Sequence, residues 1–453
     1  MNSRASYRNC IFFTTLIGIS TGAVPTASGQ VINEDFKLQA NDPSGSDWLG
    51  TSVAIDIDII AVGAKYDDDN GENSGSAYLF NALSGTQLAK LLPSDGAMDD
   101  LFGTSLDIDN GIVAVGSPFD DDNGDDSGSA YLFDATTGTQ LIKLLPNDGT
   151  EGDQFGKSIA IDNGIVAVGA WFDDENGFSA GSAYLFDANT GTQIAKLLPI
   201  GGRVADYFGW SIAIDNNIVA VGSIGDAISG SAYLFNASTG TQIAKLLPSD
   251  GGGDFGWSIA IADDLVAVGA FTDNENGPSS GSVYLYDLST GTHFQNSKLL
   301  PNDGAYEDRF GHSTSINDGL IAVGAIGDVD NGFLSGSAYL FDASTGVQLT
   351  KLLASDGERY DYFGWSVAIN NGTIAIGAAG DDSAGMTSSG STYIFDINCA
   401  ADLTNNFALD FFDISEFLKL FAANDPAADF NNDAQFNFFD ISAFLAAFAE
   451  GCP

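Results

Sequence analysis

Short apolar runs alternate with polar turns along most of the chain, and one arrangement of them recurs. Its clearest copy spans residues 155–199 and reads FGKSIAIDNGIVAVGAWFDDENGFSAGSAYLFDANTGTQIAKLLP. Within it, SIAI, IVAVGA, SAYLF and AKLL are rich in β-branched and aromatic residues, and Gly, Asn, Asp and Ser separate them. This pattern is typical of strands joined by tight turns. No segment between residues 31 and 398 has the 3.6-residue period of an amphipathic helix. Each copy therefore predicts four strands.

An aromatic-Gly pair opens each copy, and successive copies begin 47 to 55 residues apart. A period of this length is typical of repeat architectures, and seven four-stranded units can pack radially as blades. The sequence therefore predicts an all-β, seven-bladed β-propeller over residues 30–398. The aromatic residues of the pairs are Phe102, Phe155, Phe208, Phe255, Phe310 and Phe363, and Leu49 begins a degenerate pair.

The two ends of the repeat region predict how the ring closes. The chain begins with a Lys-Leu strand at residues 36–38, whereas the last copy stops after Phe395 without one. If the first strand completes the seventh blade, no partial blade is left with an unpaired edge. We therefore expect the N-terminal strand to close the ring.

The charge balance narrows the class of partner. The chain has 61 acidic and 15 basic residues and a formal net charge of −46. Such a field repels phosphate backbones and attracts cations, which argues against nucleic acid as a partner. One lysine per copy lies in the fourth strand, where charge on an outer edge discourages edge-to-edge pairing. These lysines are Lys37, Lys90, Lys143, Lys196, Lys245, Lys298 and Lys351.

Residues 1–29 have the features of a secretory signal peptide. Arg4 and Arg8 precede an apolar run that is too short to span a bilayer, and small residues follow at positions 27–29. Export predicts a secreted protein, extracellular or associated with the cell surface, in an oxidising compartment where Cys399 and Cys452 can pair. No later segment is predicted to cross a membrane.

The aromatic-Gly start, the VAVGA turn and the GSAYLF strand resemble the FG-GAP repeat, which builds the propeller of integrin α subunits. The resemblance covers roughly residues 36–398 and implies extracellular binding or adhesion, often assisted by calcium. Integrin-type copies carry a DxDxDG calcium loop between their first two strands. Here only short turns, such as residues 162–164, occupy that place. The calcium sites of the family therefore cannot be carried over.

Acidic residues are concentrated instead between the second and third strands. Carboxylates clustered on a Gly-containing turn suit calcium, and the alternative is a solvated turn, since turns also favour Asp, Asn and Gly. The connections between blades are acidic too and emerge on the same face, so we expect one anionic face that binds Ca²⁺. The predicted ligands in the first three blades are Asp67, Asp69, Asp120, Asp122 and Asp173.

The residue after the aromatic-Gly pair is a ring on four consecutive blades. These residues are Trp210, Trp257, His312 and Trp365. If the first strand is innermost, they lie near the central channel on the acidic face, where flat rings and carboxylates suit a sugar or peptide ligand. The alternative is that they fill gaps between blades, which is a common role for Trp.

Residues 399–453 contain two copies of a different unit, a polar loop followed by an amphipathic helix. They resemble a dockerin, in particular the variant that ends in Gly-Cys, here Gly451 and Cys452. The resemblance implies paired calcium-binding loops and docking to a cohesin-type partner. The oxygen ligands expected from the loop positions are Asp402, Thr404, Asn406, the Ala408 carbonyl, Asp410 and Asp413, then Asp429, Asn431, Asp433, the Gln435 carbonyl, Asn437 and Asp440.

The C-terminal unit departs from its family at the sixth loop position, where glycine is expected. Phe407 and Ala434 stand there, and a side chain disfavours the left-handed turn. The helices carry more apolar residues than so small a module buries, which predicts a docking surface. A disulfide between Cys399 and Cys452 would contribute about 4 kcal/mol.

The sequence therefore predicts a secreted, monomeric, non-catalytic binding or adhesion protein that depends on calcium. Its propeller is expected to bind extracellular protein or glycan, and its dockerin-like module to anchor it to a cohesin-type or cell-envelope protein. The alternatives are a polysaccharide-degrading hydrolase or lyase carried by a dockerin, and a surface-layer or matrix component. A catalytic set should break the repeat, but the only histidines are His293 and His312, and no Ser-His-Asp, zinc or phosphate-loop motif is present.

Overall fold

A computed structural model describes residues 32–226, 229–289, 295–397, 401, 403, 409, 411–431, 433 and 435–450. This part of the chain forms seven antiparallel sheets of four strands each, followed by two helices. The predicted signal peptide lies outside the described residues. The prediction of seven four-stranded blades is confirmed.

The first strand of each blade is innermost, because it contacts the first strands of both neighbouring blades. Its last residue is followed by a tight turn with a left-handed residue, such as Asn163 with φ 48°. These strands are β2 (Leu49–Asp56), β6 (Ser105–Asp109), β10 (Phe155–Asp162), β14 (Phe208–Asp215), β18 (Ile259–Ala262), β22 (Phe310–Asn317) and β26 (Phe363–Asn370).

The two middle strands of each blade are buried along nearly their whole length, which explains their continuous apolar runs. The second strands are β3 (Ile59–Ala64), β7 (Ile112–Ser117), β11 (Ile165–Ala170), β15 (Ile218–Ser223), β19 (Leu265–Ala270), β23 (Leu320–Ala325) and β27 (Thr373–Ala378). The third strands are β4 (Ser76–Asn81), β8 (Ser129–Asp134), β12 (Ser182–Asp187), β16 (Ser231–Asn236), β20 (Ser282–Asp287), β24 (Ser337–Asp342) and β28 (Ser391–Asp396).

The fourth strand forms the outer edge of each blade. Blades one to six use β5 (Gln87–Leu91), β9 (Gln140–Leu144), β13 (Gln193–Leu197), β17 (Gln242–Leu246), β21 (Gln295–Leu299) and β25 (Gln348–Leu352). In the seventh blade the outer strand is β1 (Phe36–Leu38), which pairs antiparallel with β28. The predicted closure by the N-terminal strand is therefore confirmed.

Every junction between blades repeats one polar contact. The Ser52 hydroxyl donates to the Gly103 carbonyl of the next blade at 2.8 Å, and the last bond of the series joins Ser366 to Gly50 at 2.8 Å. One parallel bridge also joins each neighbouring pair of blades, from Gly75↔Phe102 to Leu49↔Gly390. The same contacts thus continue across the point where the two ends of the ring meet.

Two glycines of the repeat are required by this close approach of backbones. Gly103 has φ +89°, and a Cβ there would lie 2.3 Å from the Ser76 carbonyl oxygen. Gly63, in the VGA part of the repeat, would place a Cβ 2.1 Å from the Gly103 oxygen. Both positions exclude a side chain, which explains why the aromatic-Gly and VGA elements recur together.

The hydrophobic core lies between the blades. In one cluster, Ala61 and Leu79 of the first blade pack with Phe102 and Tyr131 of the second. Phe102 is fully buried, and its ring centroid is 5.6 Å from that of Tyr131. Full burial of such a side chain contributes roughly 1.5–3 kcal/mol. Each aromatic-Gly pair therefore supplies both the anchor and the tight turn of its junction.

The C-terminal segment forms α1 (Phe411–Ala423), a short 3-10 turn (Pro426–Ala428) and α2 (Phe438–Glu450). Phe417 and Phe444 stack face to face with centroids 4.1 Å apart, and both are buried. The prediction of two helices is confirmed. Among the described residues, no helix combines the length and apolar character needed to cross a bilayer.

Candidate functional site

The propeller has two faces with different chemistry. We call the face with the second-to-third loops and the blade-to-blade connections the loop face; in the first blade it comprises residues 65–75 and 92–101. The opposite face, with turns such as residues 57–58 and 82–86, is the turn face. The predicted acidic residues and the predicted aromatic residues lie at different parts of the loop face.

On the loop face, a lysine amine lies among the acidic residues of each blade. Lys143 Nζ is 2.7 Å from Asp95, 3.0 Å from Asp120 and 2.6 Å from Asp122. Asp95 comes from the connection into the blade, so the amine joins that connection to the blade's own loop. Ion pairs of the same kind, with two carboxylates for Lys37 and three for each of the others, are made by Lys37, Lys90, Lys196, Lys298 and Lys351.

A buried tyrosine completes each lysine cluster. Tyr131 pairs with Lys143 across β8 and β9, so both side chains lie on the same side of the sheet. The Lys143 amine lies 5.1 Å from the Tyr131 ring centroid, and the Tyr131 hydroxyl donates to Asp120 at 2.7 Å. Burial raises the pKa of Asp120, but hydrogen bonds from Ser129, Tyr131 and Lys143 outweigh it and hold that pKa below its ordinary value.

This arrangement bears on the calcium ligands predicted in these loops. Asp67, Asp120 and Asp173 are buried and bonded to a lysine amine, whereas Asp69 and Asp122 reach the same amine from the exposed side. These oxygens can surround a Ca²⁺ ion only if the amine leaves. Calcium binding at these five residues stays a prediction, and the lysine is its direct competitor.

The fourth blade is the exception. Its shortened loop leaves Lys245 with a single ion-pair partner among the described residues, Asp226 at 2.6 Å, and the lysine side chain is 34% exposed. In the second blade, by contrast, the Lys143 side chain is 15% exposed. The fourth blade therefore provides a natural comparison for the three-carboxylate clusters.

At the centre of the loop face, the four predicted rings come together. The ring centroids of Trp210 and Trp257 are 4.7 Å apart, those of Trp257 and His312 are 5.8 Å apart, and those of His312 and Trp365 are 5.0 Å apart. All four side chains are only half-buried. They lie in or directly before successive innermost strands, so their contact places them around the channel mouth.

Further residues extend this cluster on both sides. Trp171 lies 4.7 Å from Trp210, and Trp48 lies 5.4 Å from Trp365, measured between ring centroids. Phe271 lies 4.0 Å from Trp257. All five tryptophans of the chain therefore belong to one aromatic cluster. We call the set formed by Trp48, Lys65, Lys157, Trp171, Trp210, Trp257, Phe271, His312 and Trp365 the channel cup.

Sequence reasoning found one half of the channel cup and missed the other. The missed residues include Lys65, Trp171 and Phe271, which share the position directly after the VGA glycine and alanine. That position varies from blade to blade, as does the position after the aromatic-Gly pair. The variation at this second position of the repeat is the sequence signal that could have identified these residues.

Two lysines stand over the aromatic rings of the channel cup. Lys65 Nζ is 5.1 Å from the Trp48 centroid and 5.6 Å from the Trp365 centroid. Lys157 Nζ is 5.0 Å from the Trp210 centroid. Burial, together with the charge of Lys157, lowers the pKa of Lys65 to about 8. Burial also lowers the pKa of Lys157.

His312 lies between these two cations in the aromatic series. Its Nδ1 donates to the Trp365 carbonyl at 3.1 Å, since a carbonyl oxygen can only accept. Burial lowers the pKa of His312 to about 4, and the charges of Arg309, Lys157 and Lys65 act in the same direction. The imidazole is therefore neutral at pH 7, with Nε2 as an acceptor.

The channel also opens on the turn face, where it forms a cavity of about 360 Å³. The last residues of several innermost strands line it, including Asp56, Asp109 and Asp162. Asp109 accepts the backbone N–H of Asn163 from the next blade at 2.8 Å. These carboxylates thus satisfy backbone groups at the junctions between blades.

Asp107, in the same cavity, interrupts the repeat at a position where other blades have Ala or Ser. Its two oxygens accept the backbone N–H groups of Ile108 at 2.9 Å and Ile161 at 2.8 Å. Burial raises the pKa of Asp107 to about 7. Sequence reasoning did not single out this residue.

Comparison with known proteins decides the family. Seven segments match the FG-GAP repeat, at residues 32–80, 86–133, 139–186, 192–235, 241–286, 294–341 and 347–395. Together they cover most of the chain. The chain belongs to the FG-GAP repeat family. Each matched unit of this FG-GAP propeller runs from a fourth strand to the next third strand, so the first unit includes β1.

Other comparisons add little to this FG-GAP assignment. The crystal structure of the computationally designed Ika8 protein is similar over 81% of this chain and 100% of its own, with a TM-score of 0.48 and 15% sequence identity. No curated protein matches this chain at a significant level.

The C-terminal helices lie beyond the FG-GAP matches. In the second loop, the Asp433 N–H donates to Asp429 at 3.1 Å, and the Asn437 N–H donates to Asp440 at 2.8 Å. Asp440 is buried, and the Asn437 N–H is the main cause of its lowered pKa. The loop thus gathers oxygens of Asp429, Asn431, Asp433 and Asp440, with the Gln435 carbonyl held by Asn437 Nδ2 at 3.3 Å. This donor set fits calcium.

The first loop cannot be compared in the same way. Asp413, its last predicted ligand, is buried in the first turn of α1, which matches the place of Asp440 in α2. The remaining predicted ligands and the predicted disulfide lie outside the described residues. They are Asp402, Thr404, Asn406, Ala408, Asp410, Cys399 and Cys452.

The paired helices expose equivalent apolar residues. Phe411 is 74% exposed and Phe438 is 72% exposed, and each begins its helix. Leu418 and Leu445, seven residues later, are about half exposed. The two helices therefore present two similar apolar strips to solvent, in agreement with the predicted excess of apolar residues.

Proposed function

We propose that this protein is a secreted, non-catalytic binding protein whose channel cup holds an extracellular ligand and whose C-terminal helices anchor it to a cohesin-type or cell-envelope partner. The FG-GAP fold supports a role in binding or adhesion. The observation that carries the proposal is the channel cup. All five tryptophans of the chain lie there, at the mouth of the central channel that the inner strands of the blades surround.

The half-buried state of the cup rings favours binding over packing. Rings that only fill gaps between blades become fully buried, as Phe102 and Phe155 are. By contrast, Trp210, Trp257 and Trp365 keep part of their surface in solvent. Aromatic surface that stays exposed at a concave centre, next to a few polar groups, is typical of ligand sites.

The state of the acidic residues favours a non-catalytic role. The paired carboxylates of the loop face are bonded to lysine amines, as in the cluster of Asp120, Asp122 and Lys143. A general acid needs a raised pKa and access to substrate, whereas the pKa of Asp120 is lowered and its side chain is buried. The cluster recurs around the ring, which is typical of a structural element.

Calcium dependence is part of the proposal, and the second C-terminal loop supports it best. Hydrogen bonds within this loop gather the oxygens of Asp429, Asp433 and Asp440. Each helix begins with exposed phenylalanines that calcium-driven ordering would fix in place for docking. In this account, calcium controls anchoring through the C-terminal module, and the lysine clusters hold the propeller loops without it.

The rival proposal of a polysaccharide-degrading enzyme is favoured by one observation, Asp107. It occurs once, lies in a channel cavity and has a pKa near 7. Against catalysis, both of its oxygens already accept backbone N–H groups, one from Ile108 in its own strand and one from Ile161 in the neighbouring blade. An assay for product release with an Asp107→Asn variant distinguishes the two proposals.

The test of the proposed function measures binding and chemistry on the same sample. The mature protein is screened on a glycan array, and the bound polysaccharides are then incubated with it and analysed for shorter chains. We expect saturable binding without product, lost in Trp257→Ala but kept in the control Leu83→Ala, which changes an exposed residue of the turn face. Product release that Asp107→Asn abolishes would establish the rival instead.

A further inference from the structure

The lysines of the channel cup differ from every other lysine in the chain. The sequence has ten lysines, and eight of them form ion pairs with Asp or Glu. Lys65 and Lys157 form none with any residue that the structure describes. In a chain with 61 acidic residues, two lysines that have no acidic partner among the described residues are unusual.

These two amines are held in place by aromatic rings. Lys65 Nζ lies 5.1, 5.0 and 5.6 Å from the ring centroids of Trp48, Tyr66 and Trp365. Lys157 Nζ lies 5.7 and 5.0 Å from those of Trp171 and Trp210. A cation over an aromatic face is attracted to the ring but keeps its N–H donors free for another acceptor.

The two charges also act on each other and on the imidazole between them. The charge of Lys157 lowers the pKa of Lys65, and both charges lower the pKa of His312. Like charges in a half-buried place repel, and a bound anion relieves that repulsion. The channel cup thus combines positive charge, free N–H donors and exposed ring faces. Among the described residues, no acidic side chain forms an ion pair with Lys65 or Lys157.

We propose that the channel cup binds an acidic polysaccharide, with the ammonium groups of Lys65 and Lys157 on the anionic groups of the sugar chain and the tryptophan faces against its rings. This inference rests on the proposed binding function and specifies its ligand. Several adjacent aromatic ring faces suit a chain of sugars, because each sugar ring can bury its apolar C–H face against an aromatic ring while its hydroxyl groups remain at the edges. The shared chemistry is a carboxylate or sulfate carried on a sugar.

The negative charge of the whole protein does not prevent this binding. At physiological ionic strength the screening length is about 8 Å, so distant carboxylates act weakly on a ligand in the channel cup. The nearest acidic clusters of the loop face also contain their own lysine, such as Lys143 among three carboxylates. Contacts with Lys65 and Lys157, by contrast, are direct and half-buried.

The tryptophans make the test specific, since their fluorescence reports on the channel cup alone. The full mature chain is titrated with an oligogalacturonate, with its methyl ester, with a sulfated dextran fragment and with unmodified dextran. We expect at least one acidic chain to bind at least tenfold more tightly than its neutral counterpart. The Lys65→Met and Lys157→Met variants are each expected to weaken that binding about tenfold, because a hydrogen bond to a charged group is lost.

The control is Lys419→Met, which removes the same charge from an exposed helical position. It should bind as the unchanged protein does, and circular dichroism should show that all three variants remain folded. A Lys65→Gln variant serves as the second test if Lys65→Met fails to fold. The affinity for the acidic chains should also fall as the pH rises above about 8, because Lys65 then loses its proton. The pKa of Lys157 is also lowered, so its deprotonation acts in the same direction. His312 is neutral throughout this pH range.

Three results would overturn the inference. Equal affinity for the acidic chains and their neutral counterparts would remove the role of the lysines but leave the proposed glycan binding intact. Equal affinity for a polyglutamate peptide would show that the anion, and not the sugar, is recognised. Binding to none of the glycans would reject the inference. If a pull-down then retained a protein partner, the proposed binding function would still hold with a protein as the ligand.

Discussion

Replacing Lys143 with methionine tests the lysine clusters of the loop face. The change keeps the apolar part of the side chain that lies beside Tyr131 but removes the ammonium group. Asp95, Asp120 and Asp122, whose oxygens lie 2.6–3.0 Å from that group, are then left without their cation. Asp120 is 3% exposed, so its charge has little access to water.

The expected cost follows from the state in which Asp120 is left. Removing one partner of a buried ion pair costs roughly 3–5 kcal/mol. Asp120 keeps hydrogen bonds from Ser129 and Tyr131, both at 2.7 Å, so the lower end applies and we expect about 3 kcal/mol. Lys245→Met, the matched change in the fourth blade, leaves one buried carboxylate, Asp226, instead of three carboxylates without a cation, so it should cost about 1 kcal/mol less than Lys143→Met.

The assay is urea unfolding followed by far-ultraviolet circular dichroism, with and without Ca²⁺. Lys143→Met leaves three carboxylates around an empty point, so calcium should restore a large part of its lost stability, whereas Lys245→Met should not respond. Equal losses in the two variants would refute the reasoning that the number of carboxylates left without a cation sets the cost. Calcium stabilising the unchanged propeller as strongly as Lys143→Met would show that the lysine does not compete with the ion.

Three further predictions concern pH, ring closure and the C-terminal loop. The pKa values of Asp47, Asp100 and Asp361 are raised to about 6, and that of Asp107 to about 7, chiefly by burial. At these four carboxyl groups the folded protein binds more protons than the unfolded chain, which outweighs the opposite effect of His312, whose pKa is lowered to about 4. The stability should therefore rise as the pH falls from 8 to 5. Urea midpoints should show a smaller rise in Asp107→Asn, and an unchanged rise would contradict the assignment to that residue. Deleting residues 32–38 removes β1 and exposes the edge of β28, so size-exclusion chromatography should show association of opened rings; a monomer of unchanged stability would be inconsistent with closure by that strand. Asp433→Ala should reduce calcium affinity measured by calorimetry more than Asp425→Ala, which changes a cap of the neighbouring 3-10 turn; equal effects would rule out the second loop as the site.

The repeat made the architecture predictable to the level of single strands. The Lys-Leu segment missing from the last copy was enough to place β1 in the seventh blade. The prediction succeeded because seven copies show the same order of strands. A pattern that arises by chance in one segment therefore has little effect on the predicted architecture. The positions of Gly63 and Gly103 also follow from the repeat, since a Cβ at either would meet a neighbouring backbone oxygen.

The partners of the fourth-strand lysines were not predictable in the same way. The lysines were interpreted as edge protection and the acidic loops as calcium ligands, as two separate features. The lysine and the carboxylates come together for two reasons. The strand register places Lys143 opposite Tyr131, and the connection between blades brings in Asp95, which is 48 residues from Lys143 in sequence. Such long-range coincidences of side-chain direction are set by the packed blade, and no local pattern encodes them.

The channel cup shows both outcomes within one site. Trp210, Trp257, His312 and Trp365 were predicted to lie near the channel because they share the position after the aromatic-Gly pair in successive blades, and they do. Lys65 and Trp171 come from the position after the second strand, which reaches the same point only when the blades close around the axis. Cation–π contacts, such as that between Lys65 and Trp365, join the residues that follow the second strands to those that follow the aromatic-Gly pairs.

The most direct test of the account is one titration followed by one analysis of chain length. The mature protein is titrated with an oligogalacturonate while tryptophan fluorescence is recorded, and the oligosaccharide is then recovered after prolonged incubation and sized. The account predicts saturable binding that Trp257→Ala and Lys65→Met weaken, with the chain length unchanged. Shortened chains, or binding that neither substitution affects, would contradict a non-catalytic ligand site in the channel cup.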